Sequence, residues 1–116
     1  MGCQDISVWD DDTVEPHNQP NQIYGIESVG YEKVLELQKL TNQLGGASIN
    51  AYGMKYNPMK DNRAFITVSA VDSMQARKAI YADWVHHGGR WLVDGRVGGQ
   101  VIRLYCVSRD QRKRYL

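Results

Sequence analysis

The sequence has 116 residues, with 14 Lys+Arg against 13 Asp+Glu and a formal net charge of +1. That length predicts one domain able to bury somewhat over half of the surface it exposes when unfolded, and 42% hydrophobic with 23% charged residues argues against wholesale disorder. The near-neutral balance argues against a dedicated nucleic-acid binder, whose footprint is usually strongly basic. No apolar run approaches the roughly 18 residues of a membrane span. Residues 1–5 carry neither the basic flank nor the apolar stretch of a signal peptide, so a cytoplasmic chain is expected. Cys3 and Cys106 are far apart and form no C-x-x-C pair, which points away from a disulfide framework or a zinc site.

Residues 6–9 (Ile-Ser-Val-Trp) read as a short strand with Asp10, Asp11 and Asp12 directly at its carboxyl end. In the polar stretch 13–22, Pro16 and Pro20 exclude both regular helix and central strand. The next helix is predicted from Ser28 as N-cap, with Val29, Leu35, Leu37, Leu40 and Leu44 as apolar positions, stopping at Gly45-Gly46. Residues 47–52 supply a second strand.

A loop is predicted over 56–63, around Asn57-Pro58. Residues 64–69 form a nearly continuous apolar run suited to a strand covered on both faces. A helix over about 73–87 follows, then a strand over 90–94, a glycine-rich turn over 95–99 and a fifth strand over 100–107. Alternating strands and helices predict a largely parallel α/β sheet.

Ligands of open parallel sheets gather at the carboxyl ends of strands. Two such ends carry carboxylates here: Asp10 to Asp12 after the first strand, and Asp72 after the third. A strand-end carboxylate can accept hydrogen bonds from both ribose hydroxyls of a nucleotide. The loop beyond adds Asn18, Asn21 and Gln22, and Lys33 lies where a first helical turn could help hold phosphate. Taken singly, each has a plain structural alternative: a turn-capping Asp, or a solvated Lys. The ordered set is more informative.

That set, from Asp10 through Thr13, Val14 and Asn18 to Gln22, resembles the D-x-D-x-V-x-x-x-N-x-x-R-Q segment of the ThiF/MoeB/HesA family, adenylating enzymes related to ubiquitin-activating enzymes. Gly30-Tyr31-Glu32-Lys33 is similar to that family's G-x-x-K. Asp72 follows a buried-strand pattern as the family's metal-site aspartate does, with Arg77 five residues on. Residues 95–100, leading into 101–105, resemble the G-x-x-x-G-Q strand opening. The resemblance spans about residues 6–107.

The resemblance implies a Rossmann-like, three-layer, mostly parallel sheet and ATP-dependent adenylation of the C-terminal carboxylate of a ubiquitin-like or sulfur-carrier protein with a Gly-Gly tail. It assigns ribose to Asp10, the phosphates to Lys33, Mg²⁺ to Asp72, and the nucleotide loop to Asp12, Asn18, Asn21 and Gln22. It also implies a homodimer. The family arginine falls at Asn21, where a neutral amide replaces a permanently charged fork; one lost charge-assisted contact weakens binding by roughly 1.5–3 kcal/mol. Arg63, Arg77 and Arg96 are candidates to replace it.

The family's opening strand, G-x-G-x-x-G phosphate loop and helix have no counterpart in this sequence. Residues 1–116 therefore read as a partial ThiF-type adenylation domain, with Met1-Gly2-Cys3 resembling the tail of the missing helix and with sticky sheet edges and marginal stability expected. A non-catalytic binding or dimerisation module, or a decayed remnant, is the alternative on the same scaffold. A dinucleotide oxidoreductase shares Asp10 but leaves Asn18, Gln22 and Lys33 unexplained. Gly98-Gly99-Gln100 matches the tripeptide of peptide-release factors, yet is expected to open a strand instead of tipping a loop. His86-His87 do not share a helix face. Cys106 is expected in the core, and the basic tail 109–114 as a solvated chain end.

Overall fold

The computed structural model describes residues 5–17, 22–45, 48–57, 64–87 and 89–115. They form a mixed α/β arrangement of two α-helices and two small sheets, one parallel and one mixed. The chain divides into two compact units, Met1–Tyr56 and Asn57–Leu116. Asn18 and Asn21 lie outside the described residues, as do Met1, Gly2 and Cys3.

The first unit is a β-α-β element. Strand β1 (Ile6–Trp9) pairs in parallel with β2 (Ile49–Tyr52), in register Ile6 with Ile49 through Trp9 with Tyr52. Helix α1 (Lys33–Gln43) joins them. Parallel strands need such a crossover, because a short turn cannot return the chain in the same direction. Gln38 donates from its amide to the Ile49 carbonyl at 2.9 Å, tying α1 to β2. Val14, Val34 and Ile49 are the buried apolar side chains among the described residues of this unit.

Helix α1 starts later than its apolar spacing predicts. Ser28 closes a 3-10 turn (Ile26–Ser28) and does not cap a helix. Gly30 then adopts φ +89°, a left-handed conformation incompatible with a helix running through 29–33. The Ser28 hydroxyl instead donates to Glu36 Oε2 at 2.9 Å, in the buried interior of the unit. Leu35 and Leu44, expected on the apolar stripe, are exposed.

The second unit orders its strands β3-β4-β5. β3 (Ile66–Ser69) runs parallel to β4 (Trp91–Gly98), across helix α2 (Met74–His87). β4 and β5 (Val101–Ser108) form an antiparallel hairpin. This sheet is thus mixed, with β3–β4 parallel as predicted and β4–β5 antiparallel. Residues 95–98, read as a turn, continue β4, and the chain reverses in only two residues, Gly99 and Gln100, with Gly99 at φ +59°. Two-residue hairpins favour glycine because they demand positive φ. The Gly98-Gly99-Gln100 tripeptide therefore tips an exposed hairpin, contrary to expectation.

Ile80, Trp84, Leu92 and Val107 form this unit's apolar core. Gly89 is fixed by that core: a Cβ there would lie 2.7 Å from Trp84 Cδ1 and 3.1 Å from the Ala64 carbonyl. β3 is not covered on both faces. Ser69 is buried while Ile66 and Val68 are exposed, because α2 covers only one side of the sheet. Cys106 projects on the uncovered side and is exposed, correcting its assignment to the core. The basic tail is docked. It forms a 3-10 helix (Arg109–Arg114), the Tyr81 hydroxyl donates to the Arg112 carbonyl, and Arg109 donates to the Val85 carbonyl at 3.2 Å.

Candidate functional site

The carboxyl end of β1 is a built turn. The Asp10 backbone N–H donates to the Tyr52 carbonyl at 3.2 Å, carrying the β1–β2 ladder one residue further. Its carboxylate Oδ1 then accepts the Asp12 N–H at 2.9 Å, a local side-chain turn that substitutes for the ladder where the strand stops. The chain turns back so that Thr13 bridges Glu32 antiparallel. Val14 N–H reaches the Tyr31 carbonyl at 2.9 Å, Gly30 N–H the Val14 carbonyl at 2.8 Å, and Lys33 N–H the Asp12 carbonyl at 3.0 Å. Three backbone hydrogen bonds therefore lock the start of α1 to the loop leaving β1.

This lock brings Lys33 to the strand-end carboxylates. Its Nζ lies 3.5 Å from Asp12 Oδ2. The lysine side chain is mostly buried, at 16% exposure, whereas Asp12 is open to solvent at 65%. The largely buried aliphatic stem thus delivers a cation to an exposed acidic rim. Lys55 Nζ approaches Asp11 Oδ2 at 4.0 Å, with both groups exposed. One carboxylate oxygen from each of Asp10, Asp11 and Asp12 falls within 4.8 Å of the others, a cluster of hard oxygen donors.

Of the predicted residues in this unit, Asp10, Asp12 and Lys33 are brought together. Gln22 is half-buried, and its Oε1 is buried with no hydrogen-bond partner among the described residues. Two groups were missed in the sequence. Tyr24 senses the site: burial, then the negative charges of Asp10 and Glu36, push its phenol above its ordinary pKa. Trp9 stacks on Tyr52 at 4.8 Å between centroids and meets Tyr56 edge-on at 5.2 Å, an aromatic group beside Asp10. The parallel register that pairs residues 9 and 52 creates it, and a single strand's pattern does not reveal that register.

Asp72 belongs to the second unit, exposed in the turn between β3 and α2. Ser73 beside it caps α2, its hydroxyl accepting the Ala76 N–H at 3.0 Å. The second unit also contains a buried ionic knot centred on Asp94. Arg77 Nε donates to Asp94 Oδ1 at 2.8 Å, Arg96 Nε to Oδ2 at 2.7 Å, and the Tyr115 hydroxyl to Oδ2 at 2.6 Å. The Arg77 guanidinium also donates to the Val71 carbonyl at 2.6 Å. Arg96 lies over the Tyr105 ring at 4.6 Å and the Tyr115 ring at 5.7 Å. Burial alone would raise the Asp94 pKa; hydrogen bonds from Tyr115, Arg96 and Arg77 outweigh it and hold the carboxyl below its ordinary value. Arg77 and Arg96 are thus both engaged with Asp94 inside this unit. Arg63 lies outside the described residues.

No protein-family model and no curated protein matches the chain. No helix among the described residues is long and apolar enough to cross a membrane.

Proposed function

We propose that the chain is part of a Rossmann-like, ThiF-type adenylating domain that binds ATP and activates the C-terminal carboxylate of a Gly-Gly-tailed, ubiquitin-like or sulfur-carrier protein. The observation that carries this reading is the convergence of Asp10, Asp12 and Lys33 where a parallel strand ends and a crossover helix begins. In that reading Asp10 accepts from the ribose hydroxyls, since a carboxylate has acceptor capacity beyond the one bond that holds its turn. Lys33 exchanges its contact with Asp12 for one with phosphate.

The reaction is attack of a carboxylate oxygen on the α-phosphorus, with the bond to pyrophosphate breaking and an acyl-adenylate remaining. Its transition state concentrates negative charge on phosphate oxygens, so the protein contributes position and positive charge. Lys33 supplies that charge from a mostly buried stem. Asp72 is suited to Mg²⁺ as one exposed carboxylate, because this ion usually takes one or two protein carboxylates together with substrate phosphates.

Pyrophosphate exchange that requires ATP, Mg²⁺ and a Gly-Gly-tailed protein tests the reading. Lys33→Ala and Asp72→Ala each abolish exchange if the roles are right; full rates in both exclude them. A non-catalytic binding module on the same scaffold is the second reading. Its support is that Lys33 and Lys55 already have carboxylate partners in Asp12 and Asp11. Binding of NAD without ATP-dependent exchange would favour an oxidoreductase.

A further inference from the structure

The turn from β3 to α2 hangs Asp72 between fixed neighbours. Residues 70–73 separate Ser69 from Met74. On the downstream side Ser73 caps α2, and its carbonyl accepts the Arg77 N–H at 3.1 Å. On the upstream side Ser69 pairs in register with Asp94 of β4. The chain between them is held from α2: the Arg77 guanidinium folds back and donates to the Val71 carbonyl at 2.6 Å. The same guanidinium donates through Nε to Asp94 Oδ1 at 2.8 Å, and the Asp94 side chain is fully buried.

We propose that Asp94, acting through Arg77, is a positioning residue for Asp72. The proposal rests on the adenylation reading for what Asp72 does, as the carboxylate suited to Mg²⁺. How Asp72 is held stands on geometry alone. The carbonyl that Arg77 engages belongs to the same planar peptide group as the Asp72 N–H, so fixing that plane fixes where the Asp72 Cα stands. Arginine's planar fork reaches two acceptors at once, a geometry that a lysine point charge does not reproduce. Asp94 sets the direction of the fork, because Nε bound to Oδ1 leaves Nη2 aimed at the Val71 carbonyl.

The energetics of the knot support a positioning role. Burying a carboxylate with guanidinium groups gains little net stability, and well-packed apolar side chains in their place are often as stable or more so. An apolar residue at 77 would fill the same space and leave the Val71 carbonyl without this donor. The two oxygens of Asp94 also divide their partners: Oδ1 takes Arg77, while Oδ2 takes Arg96 and the Tyr115 hydroxyl. The Oδ1 arm is the one that leads to the Asp72 turn.

Amide-resolved NMR and calorimetric titration with ATP and Mg²⁺ test this in Arg77→Lys and Asp94→Asn, variants whose circular dichroism should match the parent. Both should move the Asp72 amide nitrogen resonance with no ligand added. Both should also weaken Mg²⁺-dependent ATP affinity by about 10- to 100-fold, the usual loss when a group supporting a metal ligand is changed. Tyr115→Phe alters only the Oδ2 side of Asp94 and should leave the Asp72 resonance in place. In an Asp72→Ala background, Arg77→Lys should lose no further affinity, because its effect passes through Asp72. An unmoved Asp72 amide in both variants overturns the inference. So does an equal shift in Tyr115→Phe, or a loss of affinity that is undiminished when Asp72 is absent. A parent without Mg²⁺-dependent ATP affinity fails the adenylation reading, and the Asp72 amide still decides whether Asp94 and Arg77 hold the turn.

Discussion

Lys33 Nζ stands 3.5 Å from Asp12 Oδ2 because the backbone N–H of the same lysine donates to the carbonyl of the same aspartate at 3.0 Å. The pair is joined twice, once through the backbone and once through side chains. The backbone bond sets where α1 starts, and the ion pair puts a positive charge at the carboxyl end of β1. Because Asp12 is largely solvent-exposed, the ion pair itself contributes little to stability. The cation is free to trade partners without unfolding the turn.

Lys33→Met should therefore leave the unfolding midpoint nearly unchanged while weakening ATP binding. Loss of one charge-assisted contact of roughly 1.5–3 kcal/mol corresponds to about a ten- to hundredfold loss of affinity. Calorimetric titration of the parent and variant measures the affinity, and unchanged affinity would remove Lys33 from the site.

Gly30 is the positive-φ hinge between the 3-10 turn and α1. Gly30→Ala meets no neighbouring atom, so its cost is conformational alone, about 1–2 kcal/mol. Thermal unfolding should register that loss. A neutral result would mean that the 28–33 segment can leave its left-handed turn, and that the lock on Lys33 is weaker than its hydrogen bonds indicate.

Asp94 is the buried anion to which Arg77, Arg96 and Tyr115 are all bound. Asp94→Ala leaves a buried guanidinium without its counter-charge and should cost about 3–5 kcal/mol in denaturant unfolding. Tyr115→Phe removes one hydrogen bond to a charged group and should cost about 1.5–3 kcal/mol. A smaller effect of Asp94→Ala than of Tyr115→Phe would contradict the central place given to the carboxylate.

The same knot fixes a pH dependence. The Asp94 carboxyl is held below its ordinary pKa in the folded state, so its stabilisation is complete above the unfolded value of about 4 and is lost as pH falls through the folded value. Glu36 acts in the same direction in the first unit, its carboxyl lowered by hydrogen bonds from Lys39 and Ser28. The Tyr115 phenol is raised, by burial and then by its bond to Asp94, so its contribution is complete below about pH 10 and fades as pH rises through the folded value. Unfolding free energy should fall at both extremes, and Asp94→Asn should flatten the acid side. An acid limb of undiminished slope in that variant would assign the loss elsewhere.

Much of the fold is legible in the sequence, for identifiable reasons. β1, β2, β3 and α2 follow from short β-branched runs, helical apolar spacing and glycine stops, all of them local signals. The start of α1 is not local: Leu35 and Leu44 mimic an apolar stripe, while the decisive bonds come from Asp12 and Val14, far upstream in the chain. The hairpin was hidden because glycines at 95, 98 and 99 all look alike, and only Gly99 sits in the turn itself. Apolar composition at 64–69 cannot reveal that one face lacks a covering layer. At the candidate site, Asp10, Asp12 and Lys33 were readable as an ordered motif. Tyr24 and the Trp9–Tyr52 stack emerge only from strand register and burial.

The most direct test of the nucleotide site is an amide-resolved NMR titration of the chain with ATP and Mg²⁺, run beside Asp10→Ala. The account predicts saturable shifts centred on Asp10, Asp12, Gln22 and Lys33, with the nucleotide affinity much reduced in Asp10→Ala. Absence of shifts at those residues at millimolar ATP, or identical titrations of the parent and the variant, would contradict it.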